Sequence, residues 1–169
     1  TTAQQWQPLV VTPGSLQFFQ ERYGEATAEN VIQFLTFDHN PYAIVTCLQL
    51  ALEQARSIRQ FISEEMWQQI NELHLEVTAT DPGQSLAGLQ EFLATVKSAS
   101  HLFAGVMDVT MSHNEGWHFG QMGRFLERAK QTNRFLAAKY FVLSSTENVG
   151  NMLNEISWMA LLKSVSAYE

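Results

Sequence analysis

The chain is poor in the residues that would place it outside ordinary compact proteins. Of its 169 residues, one is cysteine, four are proline and four are lysine. A single thiol, Cys47, cannot close an internal disulfide, which excludes a stapled secreted scaffold and fits a reducing cytoplasm. Charged residues make up 16% of the chain and hydrophobic ones 46%, the wrong balance for disorder or a coiled-coil rod. No apolar run approaches the ~18 residues of a membrane span. The stretch at 137–143 is short and carries Lys139. No charged and then apolar leader opens the chain. Ten Lys and Arg against 17 Asp and Glu give a net charge of −7, which argues against a nucleic-acid or anionic-membrane surface. A Gly-x-x-x-x-Gly-Lys-Ser/Thr loop is absent, so no nucleotide site of that type and no cofactor is expected.

Sheet signals are missing too; Leu9-Val10-Val11 is the only short strand candidate. What is present is helical rhythm. Asn40-Pro41 predicts a helix start, and Ile44, Leu48, Ala51, Ala55, Ile58 and Ile62 then recur every three or four residues. Ser63 is placed to cap a helix over 64–78, with Glu64 and Glu65 in its first turn. Asp81-Pro82 repeats the start signal ahead of Leu86, Leu89, Leu93, Val96, Ser100, Phe103, Met107 and Thr110. Ser112-His-Asn-Glu115 matches a capping box. The helix after it carries Phe119, Met122, Leu126, Ala129, Asn133, Leu136, Tyr140 and Leu143 in the same rhythm. Shorter helices are expected over 15–23 and 28–37. Long helices joined by a tight turn run antiparallel, so the expected fold is an all-α, antiparallel up-and-down bundle forming a single helical domain over 1–169.

Both ends read as cut: the first residue is Thr1, and the run from Ile156 to Tyr168 contains no stop signal. Trp6-Gln-Pro-Leu9-Val10-Val-Thr12 echoes Trp158-Met-Ala-Leu161-Leu162-Lys-Ser164 at a constant offset of 152. The chain is therefore expected to span about one unit of a possible two-unit repeat, with a second unit beginning near 158. Helices lacking their partners would expose Trp158, Met159, Leu161 and Leu162, so a homo-oligomer is expected.

Chemistry-bearing patterns are few. Glu115-Gly-Trp-His118 has the Glu-x-x-His spacing of carboxylate-bridged metal bundles. No second Glu or Asp has a histidine three residues later, and Glu115 has a role in the capping box, so capping is preferred to metal. His39, His74, His101 and His113 show no ligand spacing, and Cys47, beside an apolar face, is expected to be a buried thiol. One helix stands out: Gly116, Gly120 and Gly123 share a face that Glu127, Gln131 and Arg134 continue. Glycine within a helix costs about 1 kcal/mol relative to alanine. Two readings compensate: a close helix crossing over the glycines, or a groove walled by Trp117 with Arg124, Glu127, Arg128 and Arg134 as polar contacts. Arg124 and Glu127 could pair at i, i+3. Asn133 on the apolar stripe would need a partner, making a buried polar network between helices plausible. Arg56, Arg59, Glu64, Glu65 and Trp67 form a second cluster around the Ser63 junction.

The segment Gly116-Trp117 … Gly123-Arg124-Phe-Leu-Glu127-Arg128-Ala129 … Thr132-Asn-Arg134 closely resembles the Glu-Arg motif of the bacterial Alpha-E family, an uncharacterised helical group. Asn40-Pro41-Tyr-Ala-Ile44 … Cys47 … Ala55-Arg56 … Arg59 and Ile62-Ser63-Glu64-Glu65-Met66-Trp67 resemble it as well. The resemblance covers most of residues 30–169. Family members are longer, with a Glu-Arg helix near the start and another in the middle; this chain carries only the second, which puts in doubt any site that needs both.

What the resemblance implies is an accessory role. Alpha-E genes occur beside, or fused to, circularly permuted ATP-grasp proteins, and near transglutaminase-like and proteasome-like peptidases. The implied function is a non-catalytic partner of an ATP-grasp type amide or peptide ligase in a peptide-modification system. Two alternatives stand beside it: an enzyme using Glu127 as acid or base with Arg124 or Arg128 orienting a carboxylate, and a carboxylate–histidine metal bundle.

Overall fold

A computed structural model describes residues 3–11, 14–79, 86–145 and 151–164. Among them every regular element is a helix: α1 (Ala3–Val11), α2 (Leu16–Tyr23), α3 (Ala28–Thr36), α4 (Ile44–Ser57), α5 (Glu64–Thr78), α6 (Leu86–Thr110), α7 (Glu115–Ser145) and α8 (Asn151–Ser164), with a 3-10 turn at Arg59–Phe61. The all-α expectation holds. Leu9-Val10-Val11 is not a strand but the last turn of α1, where hydrophobicity without alternation is as compatible with a helix. The Asp81-Pro82 start signal lies outside the described residues. Of the echo, Trp6 to Val11 lie on α1 and Trp158 to Ser164 on α8, while Thr12 lies outside the described residues.

The chain divides into two compact units, Thr1–Val31 with Arg124–Glu169, and Ile32–Gly123. In the first, α1 and α2 pack together, with Val10, Phe19 and Val31 almost wholly buried. Ser15 is also buried; its hydroxyl donates to the Val10 carbonyl at 3.0 Å. Gly24, at φ +69°, ends α2 and donates its N–H to the Gln20 carbonyl at 3.0 Å, a left-handed closure that glycine makes without the penalty of a Cβ.

In the second unit α4, α5 and α6 pack in succession, as in an up-and-down bundle. Leu52, Ala55 and Ile70 form one core cluster with Trp67 and Phe103 against it. Leu73, Val77 and Phe92 form another, flanked by Phe37, Ile44, Leu48 and Val96. The stripes differ in detail from the periodic reading. On α4 Leu52 is buried while Ala51 is exposed, as is Ile58 just past its end, and on α6 Phe92 is buried while Leu93 is exposed. A three-four spacing defines a face only to within a residue, and the larger or better-placed neighbour takes the interior.

Local signals fared unevenly. Ser63 caps α5 as expected, its Oγ accepting from the Met66 N–H at 3.2 Å, and it also bonds Thr110 Oγ1 on α6 at 2.7 Å. Arg59 pairs with Glu64 and lies 5.5 Å over the Trp67 ring. Asn40 does not cap α4, which begins at Ile44 after Ala43. Cys47 is exposed rather than buried, because it sits one position off the stripe through Leu48.

Candidate functional site

The residues singled out by the sequence lie on α7, and the boundary between the two units falls within that helix, after Gly123. Its start is set by Asn114, whose Oδ1 accepts from the N–H of Gly116 at 3.0 Å and of Trp117 at 3.4 Å. Ser112 and Glu115 are therefore not the capping pair. Asparagine two residues nearer the helix satisfies the free N–H groups directly, and Glu115 is an exposed first-turn acid suited to the helix dipole.

On the Ile32–Gly123 side, Gly116, Gly120 and Gly123 do not act alike. A methyl group on Gly120 would collide with the terminal methyl of Met107, the movable end of an α6 side chain, so Gly120 makes room for that side chain rather than for a backbone crossing. One on Gly116 would lie 3.2 Å from Asn114 Oδ1. Gly123 faces open space, with nothing within 4 Å of such a group. Gly123→Ala is therefore expected to stabilise the chain by up to about 1 kcal/mol, measured by urea denaturation; a loss would place an unseen neighbour there. Trp117 stacks on His113 with ring centroids 4.2 Å apart and meets His118 edge-on at 5.0 Å. Its Nε1 and the Oε1 of Gln121, one turn on, are shielded from water and have no hydrogen-bond partner among the described residues. The pair forms a donor and an acceptor on one face, a feature no sequence motif flags.

On the other side, Glu127 is exposed and its polar contacts are local. Lys130 Nζ donates to both of its carboxylate oxygens at 3.1 Å, and Gln131 Nε2 donates to Oε1 at 2.9 Å. The expected Arg124–Glu127 pair does not form; the Arg124 guanidinium lies 5.5 Å over the Phe125 ring. Among the described residues the expected buried inter-helix network is not found either: Asn133, Glu127 and Arg128 are all exposed. Of the stripe's described large side chains, Phe119 is 66% exposed, Met122 51%, Leu126 63% and Leu136 46%. Periodicity identifies an apolar face but not what covers it.

Hydrogen bonds from Lys130 hold the Glu127 carboxyl below the usual range; slight burial opposes this, and Gln131 and the charges of Lys130 and Arg134 add to the lowering. A depressed carboxylate contributes stability above its unfolded pKa of about 4.3 and loses it as pH falls through the folded value. For a pair this exposed the contribution is about 0.5 kcal/mol or less. Lys130→Ala is expected to return the Glu127 titration toward the ordinary carboxylate value, read by NMR of its side-chain carbonyl; an unmoved titration would show that Lys130 is not the cause.

Among the described residues, no group of three or more His, Cys, Asp or Glu is arranged to hold a metal ion. Glu115 and His118 are both exposed. No described helix is long and apolar enough to cross a membrane. A groove of about 470 Å³ lies between α5 and α6, with Leu73, Ala94, Ala99 and Leu102 among its lining and Glu72, Glu76 and Glu91 at its edges. Sequence reading missed it because the carboxylates come from two helices and meet only through packing.

No curated protein and no solved structure matches the chain. One family does, over residues 1–169: it is described as a predicted alpha-helical domain with a conserved ER motif. Glu127-Arg128 is the Glu-Arg dipeptide on α7, and with an all-helical fold around it the chain belongs to the Alpha-E family.

Proposed function

We propose that this chain is a non-catalytic helical accessory protein, acting as a partner of an ATP-grasp type amide or peptide ligase in a bacterial peptide-modification system. The observation that carries this reading is the outward apolar face of α7, where Phe119, Met122 and Leu126 are each more than half exposed. Large exposed apolar side chains in a row mark contact surfaces more often than reaction centres. The state of Glu127 agrees with that reading. A general acid at neutral pH needs a raised pKa, whereas this carboxyl is held low by Lys130, which counts against the acid role of Glu127.

The test is affinity purification from the native host with mass spectrometry of the co-purifying proteins. ATP-dependent amide formation by the recovered ligase is then assayed with and without the helical protein. The expected result is a stoichiometric ligase whose turnover rises in the presence of the chain and no longer responds to a Phe119→Asp/Leu126→Asp variant. Recovery of the chain alone, or a ligase indifferent to it, overturns the reading. Turnover by the isolated chain, abolished in Glu127→Gln at unchanged helicity, would instead make it an enzyme.

A further inference from the structure

Charge in this acidic chain is unevenly placed. Four of its ten Lys and Arg residues, Arg124, Arg128, Lys130 and Arg134, fall within the 124–134 stretch of α7, where Glu127 is the single acid. The remaining acids far outnumber the remaining cations, and three of them edge the α5–α6 groove. Glu72 and Glu76 are one helical turn apart on α5, and on α7 Arg134 is one turn beyond Lys130, which also bonds the exposed Glu127 of its own helix, so both pairs have the ~6 Å rise of four helical residues. Glu91 lines the groove from α6, and Leu73 and Leu102 give it an apolar floor.

We infer that the α5–α6 groove of one copy receives the basic 124–134 stretch of α7 from a second copy of this chain. The contact does not depend on the ligase reading, because it uses the cationic edge of α7 and a groove that reading leaves aside. Two α7 helices set against each other would oppose like charges, whereas α7 in the groove sets cations against carboxylates. The two surfaces are different patches on the same chain, so the contact is heterologous. Both are exposed to solvent and the interaction is screened over ~8 Å at physiological salt, so association is salt-dependent.

Sedimentation of the whole chain is the test, with two charge-reversed variants, Glu72→Lys/Glu76→Lys and Lys130→Glu/Arg134→Glu, each checked for native helicity by circular dichroism. The wild-type chain is expected to self-associate, with apparent affinity falling about tenfold between about 0.01 M and about 0.15 M salt. Each variant alone is expected to be monomeric. Mixed together they should restore a complex, because the first still offers a basic helix and the second an acidic groove. A wild-type chain that stays monomeric at low salt overturns the inference. So does association that survives both reversals, or a mixture that fails to combine. The neutral variant Glu72→Gln/Glu76→Gln provides a second check: it should weaken association and flatten its salt dependence, and an unchanged salt dependence would count against the groove.

Discussion

Phe34→Ala is expected to destabilise the chain by about 3–5 kcal/mol, the usual cost of removing a fully buried phenylalanine ring. Phe34 has 0% exposure and stands, with Phe19, among the largest wholly buried side chains. It lies on α3 and stacks with Tyr42 at 6.1 Å between ring centroids, so its loss leaves a cavity and also frees a second ring from the loop before α4. Typical domains hold only about 5–15 kcal/mol in reserve. The variant is therefore expected to melt at a much lower temperature or to be recovered only in unfolded form. Urea denaturation of Phe34→Leu alongside it separates ring packing from bulk hydrophobicity, since leucine refills part of the space. A Phe34→Ala loss below about 1 kcal/mol would mean that the site collapses around the smaller side chain.

The second large effect is expected at Asn40. This side chain is 3% exposed and uses both ends of its amide. Nδ2 donates to the Phe34 carbonyl at 2.7 Å, and Oδ1 accepts from the Tyr42 N–H at 2.8 Å. Asn40→Ala leaves a buried carbonyl and a part-buried N–H without these partners, at about 1–3 kcal/mol for the carbonyl and less for the N–H. Asn40→Asp keeps the acceptor for Tyr42 but removes the donor to Phe34. It also sets a second carboxylate beside Asp38, whose Oδ2 lies 3.4 Å from Asn40 Nδ2 and which is itself 6% exposed. The aspartate variant is therefore expected to lose at least as much stability at neutral pH as the alanine variant. Comparing the two by urea denaturation midpoints tests this, and a nearly neutral aspartate would show that the loop opens to water at little cost. The two sites share the Phe34 carbonyl, so their effects should not add in the double variant.

The same asparagine shows why local sequence signals can mislead. Asn40-Pro41 has the residues of a helix start, yet the amide holds a turn and α4 begins three residues after Pro41. Asparagine serves caps and turns through the same side-chain bond to a backbone N–H two residues on. Which of them forms depends on what the chain packs against next. At Ser63 the local and tertiary demands agree, and the cap is where the sequence puts it. At Ser112 a suitable motif lost to Asn114 nearby, which reaches the same N–H groups.

The candidate site divides along the same line. The Glu-Arg dipeptide and the family it marks could be read from residue order alone, because a motif is a property of sequence. The partner of Glu127 could not: Arg124 at i−3 and Lys130 at i+3 are equivalent by spacing, and only side-chain placement decided for Lys130. The glycine stripe suggested a single feature, but only Gly120 meets a side chain of a neighbouring helix.

Sequence by itself determined that the regular elements of the described residues are helices. Three-four hydrophobic spacing and the shortage of strand signals act within a few turns, on the scale over which a helix forms its own hydrogen bonds. Tertiary structure alone decided which faces are covered. The stripe on α7 is as regular as that on α6, yet Met107 on α6 is buried while Phe119 and Leu126 on α7 face water. Burial is set by the elements available to pack against a face, and that information is spread over residues far apart in the chain.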